Sequence, residues 1–81
     1  MTIEILKHSD LTAAVQLQVA ELYAQLNPTE NQSPLTTVLS ENNNVIMAVC
    51  KAENTICGIA LLVTYKVLAG YRGLVEDVVV D

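Results

Sequence analysis

The spacing of apolar positions changes three times along the chain, and each change marks an element. Ile3 to Leu6 reads as a short strand. From Leu11 the apolar residues Leu11, Val15, Val19, Leu22 and Leu26 recur every three or four positions, widened by Ala14 and Leu17. That spacing is one face of a helix. Ser9 or Asp10 offers an oxygen to the first-turn N–H groups, and Asn27-Pro28 ends the helix because a residue before proline disfavours helical geometry. Thr29 to Gln32 is a polar loop. Ser33-Pro34 opens a second, shorter helix through Leu35, Val38 and Leu39 to about Glu41, closed by Asn42 to Asn44.

Val45 to Cys50 is apolar at nearly every position, which predicts a strand covered on both faces. Glu53-Asn54 reads as a tight turn, Ile56 to Val67 as a long strand, and Gly70-Tyr71-Arg72-Gly73 as a second turn. Leu74 to Val80 is the last strand. The order is β-α-α-β-β-β, an α+β arrangement. Short loops between the last three strands predict an antiparallel meander covered by the helices.

With 81 residues, positions 1–81 are expected to form one small domain. A chain of this length buries only about 60% of its extended surface when it folds alone. Yet 52% of the residues are hydrophobic, and the mean hydropathy is +0.40. There is no Phe or Trp, so the core is expected to come from Val, Leu, Ile and Ala. Apolar excess on so small a body predicts a surface covered by another chain, most simply a homodimer. Four basic against nine acidic residues give a net charge of −5, which speaks against nucleic acid and against anionic membrane surfaces as partners. No unbroken apolar run, that containing Gly58 to Val63 included, comes near the roughly 20 residues of a membrane span. Met1-Thr2-Ile3-Glu4-Ile5 lacks the basic start of a secretion signal, and two Cys without such a signal fit a reducing cytoplasm.

Glu76-Asp77 is the unusual pair, two adjacent carboxylates inside an apolar strand. Strand alternation sends them to opposite faces, so one of the two points toward a face that ought to be packed. A buried carboxylate has a raised pKa and suits a general base. Alternatively both lie near water on an edge strand, or Asp77 bonds neighbouring backbone. His8 is the only histidine, beside a helix start, and without a second one no zinc site is expected. Cys50 and Cys57 flank the Glu53-Asn54 turn symmetrically and would be direct cross-strand neighbours. They could join under oxidation, but two small buried hydrophobes is the expectation. Tyr23, Tyr65 and Tyr71 read as packing or rim residues. No Gly-rich phosphate loop is present in the sequence.

The string Gly73-Leu74-Val75-Glu76-Asp77-Val78-Val79-Val80-Asp81 resembles the fourth strand of the GNAT superfamily of N-acetyltransferases. Cys57-Gly58-Ile59-Ala60 is similar to the family's third strand, and the order of elements upstream is similar too. The resemblance covers the whole chain and implies the N-terminal half of an acyl-CoA N-acyltransferase fold. It implies acetyl-CoA as cosubstrate and an amine as acceptor. By the same resemblance Glu76 matches the general base and Asp77 a neighbour of less uniform role. Val78, Val79 and Val80 match residues whose backbone pairs with the pantetheine arm, and the loop from Asn27 to Ser33 matches the border of the acceptor site. The family's phosphate-binding loop, of the type Gln/Arg-x-x-Gly-x-Gly/Ala, follows the fourth strand and has no counterpart in these residues. This chain alone is therefore expected to be inactive. The rival expectation is a non-catalytic half-domain that associates with itself or with a partner.

Overall fold

The computed structural model describes residues 1–29 and 31–80; Glu30, in the Asn27 to Ser33 loop, and Asp81, the last residue of the strand motif, lie outside the described residues. Strand β1 is Thr2–Leu6, helix α1 Ala13–Leu26 and helix α2 Leu35–Val38; strands β2, β3 and β4 are Val45–Ala52, Thr55–Val67 and Gly70–Val80. The four strands form one antiparallel sheet in the order β1-β2-β3-β4. The β-α-α-β-β-β order and the meander are as expected from the pattern. Glu53 (φ 52°) and Asn54 (φ 68°) both adopt positive φ, the requirement of a two-residue hairpin turn whose twist matches the strands.

Period two decides which side chains meet the helices. Val45, Met47 and Val49 alternate toward α1 and α2, and Ile59 and Val79 lie on the same face. With Leu6, Val19, Leu22, Leu39 and Ile56 they make the core, centred on Met47 and Val49 at 2% and 1% exposure. Methionine, not alanine, is the surprise in that core. An unbranched side chain fills the irregular space under a single long helix better than a methyl group does.

The opposite face is bare, which corrects the expectation that β2 is covered on both sides. Its cross-strand rows are Ile3-Cys50-Gly58-Val80, Ile5-Ala48 and Ile46-Leu62-Val75. These rows carry no charge, and Ile3, Val75 and Val80 are 78%, 67% and 75% exposed. The reason is a count of layers: both helices sit on one face.

Local punctuation differs from expectation at several points. Thr12, not Ser9 or Asp10, caps α1, its Oγ1 accepting the Val15 N–H at 3.2 Å. Ser9 and Asp10 belong to a single 3-10 turn, where the Asp10 carboxylate accepts the Lys7 N–H at 2.9 Å. Within α1, Val19 and Leu22 are buried, whereas Ala14, Leu17 and Leu26 are exposed. Helix α2 is a single turn, and Pro34 is its cap, not its first helical residue. The second hairpin turns at Leu68-Ala69, not within Gly70 to Gly73, which is strand. Gly70 supplies a φ of +122° just after the turn, a conformation that side chains rarely adopt. Gly73 is a packing glycine: a Cβ there would stand 3.1 Å from Leu62 Cδ1. The β3–β4 hairpin also outruns its neighbours. Thr64 is the last β3 residue tied sideways, to the Asn44 carbonyl at 2.9 Å; beyond it, Tyr65 to Val67 pair only with Arg72 to Gly70.

One long-range bond ties helix to sheet. Cys50 pairs with Gly58 but Lys51 with Ile56, so Cys57 is an extra residue on β3. Beside this bulge the Ile56 N–H turns to α1 and donates to Gln18 Oε1 at 2.8 Å. Ile56 is buried, so losing the acceptor strands a donor away from water. Gln18→Leu is expected to cost about 1–3 kcal/mol in urea unfolding, and Gln18→Glu, which keeps an acceptor, distinctly less.

Candidate functional site

Strand β4 carries the second irregularity. Leu61 pairs with Glu76 and Ile59 with Val79, so Ala60 alone stands opposite both Asp77 and Val78. That is a β-bulge, and Asp77 takes it up with a φ of 48°. Aspartate is among the few side chains that accept this left-handed region. The extra residue also shifts the parity of the strand, so Val79 is buried in the core while Val78 and Val80 are exposed.

Beside the bulge lies a groove of about 190 Å³. Its floor is Val19, Leu35, Val38, Met47, Ile59 and Leu61, and its polar rim is Tyr23, Asn31, Gln32, Ser33 and Asp77. Gln32 Nε2 donates to the Ala20 carbonyl at 2.9 Å, which holds the loop between the helices against α1. Asn27 Nδ2 donates to the Tyr23 hydroxyl at 3.1 Å. The arrangement is a small apolar slot with polar groups at its mouth, the form in which a side chain or a short acyl group is held and oriented.

The two carboxylates part company here. Asp77 is half-buried and lines the groove; Glu76 is exposed and does not. No charged or polar residue among those described is buried. The bulge is the physical reason: it lets the chain pass an acidic pair without driving either carboxylate into the core. Val78, Val79 and Val80 follow on the same edge strand. His8 is exposed in the 3-10 turn, away from the groove. Among the described residues no three His, Cys, Asp or Glu stand together as metal ligands, and no helix is long and apolar enough to cross a membrane. Tyr23 was read from the sequence as a packing or rim residue and Gln32 lies in the Asn27 to Ser33 loop, but their meeting with Asp77 around one groove was not foreseen. Tyr23 follows Val19 by four positions, on the helix face that meets the sheet, and that spacing was the available signal.

An aminoglycoside acetyltransferase from an uncultured soil metagenomic sample, solved with trehalose and with sisomicin, superposes on this chain with a TM-score of 0.77 at 23% identity. The match covers 99% of this chain and 55% of the other. An acetyltransferase of Trypanosoma brucei matches with a TM-score of 0.71 at 24% identity, over 99% of this chain and 59% of its own. Glucosamine-6-phosphate N-acetyltransferase from Arabidopsis thaliana gives 0.69 at 24% identity, over 100% and 61%.

The chain has a partial GNAT fold.

It spans little more than half the length of these acetyltransferases. No protein-family model and no curated protein matches it.

Asp77 is the position on which the geometry of β4 turns. Asp77→Asn, which tolerates the same φ, is expected to keep stability within about 0.5 kcal/mol. Asp77→Val is expected to lose about 1–3 kcal/mol, because a β-branched residue is strained there. Thermal unfolding followed by circular dichroism reads both.

Proposed function

We propose that this chain is the acetyl-handling part of a GNAT-type N-acetyltransferase, with acetyl-CoA as donor and an amine as acceptor. The observation that carries the reading is the bulge at Asp77-Val78 in an edge strand, beside a groove with a polar mouth. An edge strand offers a row of backbone N–H and C=O groups to any extended partner with amides of its own, which then adds as a further strand. The pantetheine arm is such a partner, and Val78, Val79 and Val80 are the residues that would hold it. The two ends of the cofactor fit unequally. The arm has its edge, whereas the described residues include no Gly-rich turn at a helix start to take the pyrophosphate. When bound, acetyl-CoA would supply an acetyl thioester.

The chain's own groups then have separate tasks. Glu76, exposed and beside the bulge, takes the proton from the acceptor amine. A backbone N–H near Val78, released from the ladder opposite Ala60, donates toward the carbonyl oxygen that gains charge. Asp77 and Tyr23 border the groove that receives the acceptor. In a polypeptide that carries residues 1–81 together with a phosphate-binding segment, Glu76→Gln is expected to lower turnover by about 10²–10⁴ while calorimetry shows acetyl-CoA binding nearly intact. Near-normal turnover of this variant would remove Glu76 from the mechanism.

A second reading rests on the same edge. Strand β4 ends the sheet, and past Asp77 its residues Val78, Val79 and Val80 put no charge in the way of another strand. In this reading two copies join β4 to β4, and the two-fold pairing satisfies both edges at once. The readings compete for one surface. Light scattering behind size exclusion at micromolar concentration is expected to show a dimer of the 8.8 kDa chain. Val75→Lys, a charge on the edge strand away from the core, is expected to shift it to monomer. A wild-type chain that stays monomeric and folded would dismiss the self-association reading.

A further inference from the structure

The bulge at Cys57 places two thiols together on the bare face of the sheet. Because Cys50 pairs with Gly58, Cys57 stands out of the ladder, and its Sγ reaches the Cys50 carbonyl oxygen at 3.4 Å. The Cys57 side chain is also close enough to bear on the titration of the Cys50 thiol. Gly58 makes room for this. A Cβ at that position would stand 3.4 Å from Cys50 Cβ and crowd that side chain. Both cysteines are free and half-buried, not the closed hydrophobic pair that the sequence suggests. Ile3 and Val80 share their cross-strand row, and the charge that reaches Cys50 from outside the pair is the N-terminal ammonium, which opposes the rise of its thiol.

The structure assigns Cys50 and Cys57 as a reversible redox site that closes to an intramolecular disulfide by exchange with a low-molecular-weight disulfide. Cys57, which stands out of the ladder at the bulge, is the attacking sulfur; the hydrogen bond with Cys57 and partial burial push the Cys50 thiol above its ordinary value, in keeping with its place as the second thiol to react. Its thiolate attacks one sulfur of the small disulfide; that S–S bond breaks and a small thiol leaves with a proton. Cys50 then attacks the mixed disulfide, loses its own proton, and releases the second small thiol. The protein gives up two hydrogens and two electrons, and the small disulfide is reduced to two thiols. The site is independent of the acetyl-transfer reading, but not distant from β4. Gly58, next to Cys57, sits against the Val79 carbonyl and the Val80 side chain, so the staple would stiffen the sheet one strand from the edge.

The test uses oxidised glutathione as the probe, with intact-mass spectrometry and alkylation of remaining thiols. Wild-type chain is expected to lose the mass of two hydrogen atoms, carry no adduct and take up no alkylating reagent. Dithiothreitol is expected to reverse all three. Cys50→Ser is expected to stop at a single glutathione adduct on Cys57, and Cys57→Ser to react several-fold more slowly. Circular dichroism checks that both variants are folded. Two stable adducts on wild-type chain, a disulfide between two chains, or two thiols still open to alkylation after oxidation would each overturn the assignment.

Discussion

The packing of β4 rests on one added residue. A strand alternates strictly, so without the bulge Val78 would stand opposite Ile59 and Val79 would face the bare side. The extra position at Asp77 exchanges their places. Val79 enters the core, the ladder opens opposite Ala60, and the acidic pair passes the sheet with neither carboxylate buried. Core packing and the candidate site therefore depend on the same backbone event. The left-handed φ of Asp77 is the local strain that both of them share.

How much of this was legible in the sequence differs element by element. The meander was legible because strand length, turn residues and short loops all agree there. Helix α1 was legible from its spacing. The register of β4 was not, since Leu-Val-Glu-Asp-Val-Val-Val reads as a plain strand and nothing in residue type marks an inserted position. Gly70 to Gly73 looked like a turn because glycine serves two purposes. Gly70 is there for its φ, but Gly73 is there because Leu62 lies across it. The continuous apolar run of β2 implied cover on both sides, and the structure gives cover on one. A run of that kind reports what a strand tolerates, not what surrounds it. Of the site, the Glu76-Asp77 position was legible, whereas the groove itself was not. The groove is assembled from α1, a loop, α2 and three strands, distant in sequence and joined only by the fold.

The two faces of the sheet are unlike, with both helices on one side. The acetyltransferases of known structure are longer, and this chain matches about three fifths of them or less. What it shares with them is the fold, which in this chain is a sheet with helices on one side. The uncharged rows on the other side are continuous with Cys50 and Gly58, so the thiol pair, the bare face and the edge strand form one connected surface.

The projecting β3–β4 hairpin gives the sheet an uneven resistance to opening. Past Thr64 it is a two-stranded ribbon with no third strand beside it, and Leu68 at its tip is fully exposed. A lone ribbon is barely stable in water, and here the contact of Lys66 with the Tyr71 ring, 5.6 Å to the centroid, is one of few that steady it. Amide protons near the tip should exchange through local fraying, while those around Val49 and Ile59 should wait for global unfolding. The strand that carries the candidate site is thus loose at one end and anchored at the other. Val79 is the anchor, and the bulge lies on the anchored side, where fraying from the tip stops before it reaches Asp77.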